Sequence, residues 1–301
     1  MASFSNSVKE EICSSINDKD KRYACLYGIL LYCRHISERR ILIQTESEAF
    51  AKLLSILTNS VYEGKIPYSL EKSERSNGAA GYTFTIDGYD AVFEALSFYG
   101  ISISSREINL THIVNNSLNV FLAGVFLACG SVTDPYKEYH LEFNAPVMQL
   151  YKDLNQILLS FGIEAGMTKR KNSYVLYVKY SENIEDILAF IGARQCTIDL
   201  MNVKIYKDVR NKANRIANCD SANIDKVIAA SSKQISDIEF IQSCGKFETL
   251  PFDLKEVAEL RLENPEISLK EIGELLKKPI GRSGVNRRFQ KISKIAEELK
   301  I

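Results

Sequence analysis

The chain has 301 residues, enough for two or three domains around a large buried core. Its 46% hydrophobic and 25% charged residues make an ordinary globular mixture, and 38 basic residues balance 38 acidic ones. The opening "MASFSNSVKEEICSS" is too polar and acidic for a signal peptide, and the longest apolar run, Val120 to Cys129, is about half of what a membrane span needs, so a cytoplasmic protein is expected. Seven cysteines with no C-x-x-C pair argue against a disulfide framework or a structural zinc site, so neither metal nor cofactor is expected.

In chain order, the first notable segment is "CLYGILLYCR", Cys25 to Arg34. It returns as "FLAGVFLACGSV", Phe121 to Val132, with Gly28 matching Gly124 and Cys33 matching Cys129. The first copy leads into the extended "RILIQTES" and the helix-like "AFAKLLSILTNSVY". The second leads into "EYHLEFNA" and "VMQLYKDLNQILLSFGI" in the same order. "GYTFTIDGYDAVFEALSFYGI" (Gly81 to Ile101) then parallels "SYVLYVKYSENIEDILAFIGA" (Ser173 to Ala193). Each repeat, residues 20–105 and 116–200, therefore reads helix, strand, helix, strand or strand pair, helix. Tyr82, Phe84 and Ile86 alternate with Thr83, Thr85 and Asp87, and Tyr139, Leu141 and Phe143 with His140, Glu142 and Asn144. Half-polar strands with short connections favour antiparallel sheets with one solvated face. Between the strands, "EGKIPYSLEKSERSNGAAG" reads as a loop or an extra strand with a mobile tip.

Beyond residue 204 the zero net charge conceals two basic concentrations. Lys204 to Asn218 holds five Lys/Arg against one Asp, and Ser268 to Lys300 holds nine Lys/Arg against four Glu. Residues 205–225 form a basic, Asn-rich linker or helix in which Arg210, Asn211, Asn214, Arg215 and Asn218 are candidate contacts. Asn214 and Asn218 share a face if the segment is helical; otherwise its asparagines cap and turn a solvated connection.

The remainder, 226–301, is expected to be all-α. Helix one runs from Leu254 to Glu263 and stops before Pro265. Ser268 with Glu271 forms a capping box for "LKEIGELL", and after the turn "KKPIGRS" Ser283 is expected to cap the last helix. There Val285, Phe289, Ile292, Ile295 and Leu299 make one apolar stripe. Residues 268–300 thus have the form of a helix-turn-helix, whose second helix enters a major groove. Arg287 and Arg288 lie where bidentate guanine contacts are made, and Asn286 and Gln290 could read adenine. Ser268, Arg282, Ser283 and Gly284 sit at helix starts suited to phosphate, while Lys270, Lys277, Lys278, Lys291 and Lys294 would neutralise the backbone. Double-stranded DNA is the expected partner, with no membrane and no small-molecule substrate; a hairpin with a merely solvated basic face is the competing reading.

The repeated helix resembles the LAGLIDADG helix of homing endonucleases. "LAGVFLACG", from Leu122, keeps Leu, Ala, Gly, Ala and the final Gly, while "LYGILLYCR" keeps Leu and Gly. The resemblance implies two such helices packed on a pseudo-twofold axis, their eighth residues being the acids that bind divalent metal. Here those positions are Cys33 and Cys129, and the sixth letters are Leu31 and Leu127. A soft thiol does not replace a carboxylate on magnesium, so catalytic residues are expected to be absent and the fold retained. The expected fold class is α+β: two pseudo-symmetric LAGLIDADG-type repeats with antiparallel sheets in residues 1–204, then an all-α helix-turn-helix domain.

Over nearly its whole length the chain is similar to the WhiA family. The residues that carry this are "FSNSVKEEI", "FLAGVFLACGSVTDPYKEYHLEF", "RNKANRIANCDSANIDK", "LPFDLKEVAELRLENPEISLKEIGELL" and "GRSGVNRRFQKI". The resemblance implies a non-enzymatic, nucleoid-associated DNA-binding regulator of transcription. It also implies a role in sporulation, cell division or chromosome segregation, with RNA polymerase or another transcription regulator as a further partner. "NRRF" stands where the family often has "NHRL", which adds a positive charge to the reading helix. Thr83, Thr85, Asp87, Glu142 and Asn144 on the strands are not cationic, so the nuclease-like domain is expected to dock protein rather than clamp DNA. The alternatives are a scaffold for division or transcription partners and a metal-dependent endonuclease.

Overall fold

Asp18 opens the helix on which the first repeat is built. Its carboxylate accepts a 2.8 Å hydrogen bond from the Lys21 amide, capping α2 (Lys19–Tyr32), which follows α1 (Phe4–Ser15). The structure, a computed structural model, describes residues 3–74, 80–113, 117–170 and 173–300. After α2 come β1 (His35–Ser37), β2 (Arg40–Thr45), α3 (Glu48–Val61), β3 (Ser69–Glu74), β4 (Ala80–Asp87) and α4 (Tyr89–Ser97). The second repeat runs α5 (Leu118–Cys129), β5 (Gly130–Val132), β6 (Leu141–Ala145), α6 (Met148–Ser160), β7 (Gly166–Arg170), β8 (Ser173–Val178) and α7 (Ser181–Phe190).

The two sheets share one topology. Their strand orders are β1-β2-β4-β3 and β5-β6-β8-β7, and every described pairing is antiparallel. The register sets Ile43 opposite Phe84, and Phe143 opposite Leu176. Tyr82, Phe84, Ile86, Leu141 and Phe143 all face the core, as the alternation predicts. Two differences appear. The short strands β1 and β5 follow the repeated helices directly, and three residues are too few to show a period. Thr85, expected on the solvated face, is buried at 8% exposure. The extra strand of the inter-strand connection exists as β3; the expected mobile tip, residues 75–79, lies outside the described residues.

Helices α2 and α5 pack against each other at the centre of this unit. Every residue of α2 from Ala24 to Tyr32 is buried, and so is every residue of α5 from Val120 to Leu127. A helix that is apolar all round needs partners on every side, and the sheets together with α1, α3 and α6 supply them. Tyr32 buries its hydroxyl by donating it to the Leu150 carbonyl at 2.8 Å.

Contacts divide the chain into Met1–Lys207 and Asp208–Ile301. The division falls inside α8 (Arg194–Ser243), a single helix of 50 residues, so the Asn-rich segment 205–225 is neither a loop nor a separate module. Asn211, Asn214 and Asn218 are exposed and interior to that helix rather than caps. The second unit adds α9 (Phe252–Glu263), α10 (Leu269–Leu275) and α11 (Arg282–Glu298). Its core joins Ile238 and Ile241 of α8 to Val257, Ile272, Val285 and Phe289. No helix among the described residues is long and apolar enough to cross a membrane.

Candidate nucleic-acid interface

Helix α10 starts with the expected capping box. The Ser268 hydroxyl accepts from the Glu271 amide at 3.3 Å, and the Glu271 carboxylate accepts from the Ser268 amide at 2.7 Å. These reciprocal bonds hold the Glu271 carboxyl below its ordinary range. The turn then folds back onto α10: the Ile280 amide donates to the Gly273 carbonyl at 3.1 Å. A side chain at Gly273 would overlap the Ile280 carbonyl oxygen, so only glycine admits this turn.

Helix α11 begins two residues earlier than its sequence suggests. Gly281 is the N-cap and supplies no side-chain hydrogen bond, whereas Ser283, expected to be the cap, lies within the first turn and is exposed. The Gly281 carbonyl accepts from Gly284 and Val285, and the first amides of the helix receive no side-chain hydrogen bond from the N-cap. Open amides at the positive end of a helix suit an anion.

Exposure sorts the predicted reading residues. Arg282, Ser283, Asn286, Arg287, Gln290, Lys291 and Lys294 are exposed, opposite buried Val285, Phe289 and Ile292. Positions 283, 287, 290 and 294 form one stripe at helical spacing. Gly284 is partly covered by Ile280. Arg288 departs from expectation. Its Nη1 donates to the Asp253 carbonyl at 3.2 Å and its Nε lies 3.7 Å from the Asp253 carboxylate, so it ties α11 to the start of α9. It shares the sequence of the reading face but, one residue on, is turned about 100° away from Arg287. Lys270 pairs with Glu274 at 3.7 Å, Lys277 extends its ammonium over the Phe252 ring, and Lys278 is exposed.

Two residues escaped the sequence reading. Arg261 is 2% exposed. It donates to the Gln234 side chain at 3.0 Å and to the Pro265 and Ile267 carbonyls at 3.2 and 2.7 Å, and stacks over the Phe289 ring. It therefore fixes the α9–α10 connection against both α8 and α11. Nothing in "ELRLEN" distinguishes this arginine from a solvated one. Lys226 of α8, with Asn223, lines one groove together with Ser268, Lys270 and Arg282. Arg210, Asn211, Asn214, Arg215 and Asn218 do not line it.

In the first unit, the ends of α2 and α5 open into adjoining pockets. Cys33 and Cys129 line one together with Arg34, His35 and Asn144. Arg34, His35 and Asn144 also line the other, with Arg106, Arg170 and Ser173. Burial pushes the Cys33 thiol up to about 11 and the Cys129 thiol up to about 12, so both are neutral. Divalent-metal chemistry needs anionic oxygens, and two neutral thiols among arginines do not fit it. The described residues also contain no cluster of three His, Cys, Asp or Glu arranged to hold a metal ion. His112, away from these pockets, bonds the Tyr23 hydroxyl at 2.8 Å, and His140 pairs with Glu142 at 3.4 Å.

Comparison with known proteins places both units. Residues 118–210 match the model of the WhiA LAGLIDADG-like domain, and residues 213–296 that of the WhiA C-terminal HTH domain. The chain is 36% identical to a "Probable cell division protein WhiA" of Clostridium perfringens, over 99% of this chain and 98% of the relative. It is 34% identical to one of Caldicellulosiruptor saccharolyticus, over 99% and 96%. The crystal structure of full-length DUF199/WhiA from Thermatoga maritima superposes with a TM-score of 0.59 at 26% identity, covering 99% of both chains. The isolated N-terminal LAGLIDADG domain of DUF199/WhiA matches at a TM-score of 0.51 and 24% identity, over 64% of this chain and 91% of that one. A degenerate LAGLIDADG-like fold followed by a helix-turn-helix, with identity of this order sustained from end to end, means that the chain belongs to the WhiA family.

Proposed function

We propose that this protein is a non-enzymatic DNA-binding regulator of transcription acting in cell division, chromosome segregation or sporulation. The observation that carries the reading is the start of α11. Arg282, Ser283, Asn286, Arg287 and Gln290 stand exposed beside amides that no side chain caps. In a major groove, such a helix presents Arg287 for bidentate contact with guanine and Asn286 and Gln290 for adenine. Lys278, Lys291, Lys294 and, through α8, Lys226 meet phosphates and set the salt dependence. The names of the relatives support the cell-division role. A cytoplasmic, nucleoid-associated location and contact with RNA polymerase or another transcription regulator follow from a role at promoters. The first unit supports the non-enzymatic reading, because its two would-be acid positions are neutral thiols.

A gel-shift series over salt concentration tests the core of this. The wild-type chain should bind duplex DNA at low salt, and Arg282→Ala with Arg287→Ala should weaken binding strongly. Binding indifferent to both changes would return the protein to the scaffold class. Chromatin immunoprecipitation with sequencing then identifies the operator, and plasmid nicking in magnesium would contradict the non-enzymatic reading.

A further inference from the structure

The cleft where the LAGLIDADG helices end has an inverted charge. Where the nuclease motif has acids, this chain has neutral thiols, and around them stand Arg34, Arg106 and Arg170. Arg170 is committed to Glu142 at 3.1 Å. Among the described residues no carboxylate lies within ion-pair distance of Arg34 or Arg106; Arg34 reaches only the Ser173 hydroxyl, at 3.4 Å.

Arg106 is the more telling of the two. It is 9% exposed, and its Nη1 donates to the Cys33 and Leu31 carbonyls at 2.6 and 3.3 Å, satisfying the end of α2. That capping role accounts for one edge of the guanidinium. Its Nε, fully buried, has no partner, and the buried Oδ1 of Asn144 has none either. A buried cation without an anion is costly. Capping α2 explains neither Arg34 nor the unpaired Nε of Arg106. Two guanidiniums lining one open cleft are the donor pair that binds tetrahedral oxyanions; the Ser173 hydroxyl accepts from Arg34 and gives its own proton to the Arg170 carbonyl at 3.0 Å, so it positions Arg34.

We propose that this cleft binds a phosphoryl oxyanion, as a phosphate monoester or diester, held by Arg34 and Arg106, with Ser173 positioning Arg34. The idea is independent of DNA reading by α11. A phosphoryl group reaches the cleft either on a free phosphorylated molecule or as part of a nucleic-acid backbone, and the experiment separates the two.

Calorimetric titration of the full-length protein at constant ionic strength uses inorganic phosphate and thymidine 5′-monophosphate as free probes. A labelled duplex is titrated separately into a chain already carrying Arg282→Ala and Arg287→Ala. Each is repeated in Arg34→Glu, in Arg106→Gln and in the control Lys246→Ala, at an exposed lysine outside both sites. Arg34 is exposed, so its variant tests the cleft even if Arg106→Gln loses stability. The expected result is a loss of about tenfold or more in affinity on Arg34→Glu, the equivalent of one charge-assisted contact, with Lys246→Ala unchanged. If the free probes bind and respond, the ligand is a small phosphorylated molecule. If only the residual duplex affinity responds, it is a nucleic-acid backbone. If no probe distinguishes Arg34→Glu from wild type, the cleft is not an oxyanion site and the proposal is overturned.

Discussion

Gly28 and Gly124 bring two helix backbones into direct contact. A methyl built on Gly28 would overlap the Phe121 carbonyl oxygen of α5 and lie 3.0 Å from the Val125 amide nitrogen; one on Gly124 would overlap the Cys25 carbonyl of α2. The obstacle on each side is main chain, which cannot move aside as a side-chain tip can. Two contributions oppose each other on substitution by alanine. Helix propensity favours alanine by roughly 1 kcal/mol in a helix interior. Overpacking against a closed core costs about 1–3 kcal/mol and more where backbone must shift. Overlap should prevail. Gly28→Ala and Gly124→Ala are each expected to lower the urea midpoint of the first unit, and the double variant by more than either alone. A midpoint raised in either single variant would mean that the helices do not meet through these glycines.

Adjacent arginines in α11 should behave oppositely. Arg287 is exposed, so Arg287→Ala should weaken DNA binding while leaving thermal stability within about 0.5 kcal/mol. Arg288 holds Asp253. Arg288→Ala should lower stability by roughly 1 kcal/mol and affect binding only in proportion to the unfolded fraction. Thermal melts and fluorescence polarisation on the same preparations separate the two; equal loss of affinity at unchanged melting would place Arg288 back among the reading residues.

Salt dependence distinguishes phosphate contacts from base contacts. Lys278 is exposed. If it meets a phosphate, Lys278→Ala lowers affinity on all sequences alike and reduces the slope of log K against log salt by about 1. Gln290→Ala should leave that slope unchanged and relax preference at one base pair. Polarisation titrations at four or more salt concentrations, on specific and scrambled duplexes, provide the check.

The sequence makes the repeats legible because both devices that build them leave a period. The small-residue helix recurs with its glycine and cysteine in register, and the strands alternate. The capping box at Ser268 and Glu271 was equally readable, since its spacing is its mechanism. What stayed hidden depends on distant partners. The start of α11 moved forward because Ile280 returns to Gly273, a contact that no local pattern announces. The asparagines of Lys204 to Asn218 left linker and helix both open, and only the structure shows that the segment continues a helix already running from Arg194. The non-cationic saddle was judged from β4 and β6 alone, whereas Arg34, Arg106 and Arg170 come from loops and from β7. Arg261 illustrates the same limit. Four of its hydrogen-bond acceptors lie on residues 234, 264, 265 and 267, and removing the guanidinium deprives the buried Gln234 side chain and the part-buried Asn264 and Ile267 carbonyls of this donor. Arg261→Met should therefore destabilise the second unit by about 2–4 kcal/mol and abolish DNA binding; a melt unchanged by the substitution would contradict its bracing role.

The buried thiols set the alkaline limit of stability. Cys33 titrates at about 11 and Cys129 at about 12 in the folded chain, against 9.0 for an unhindered thiol, because burial disfavours the thiolate. A folded pKa raised above the unfolded one means that the native state holds its proton longer. The stabilisation is complete below pH 9.0 and is lost as pH climbs from there through 11 to 12, where the unfolded chain has already ionised. Across that window each thiol steepens the decline by up to about 1.4 kcal/mol per pH unit. Cys13 and Cys196, each also raised to about 12, add to the same limb. Replacing Cys33 and Cys129 by alanine should flatten the limb by two protons' worth of slope while lowering the neutral plateau through the cavities left. Urea melts across the alkaline range measure both. The same burial predicts native-state alkylation at exposed Cys219 and Cys244 before Cys33 or Cys129. Rapid labelling of Cys33 in the folded protein, read by peptide mass, would show that this thiol is not held neutral by burial.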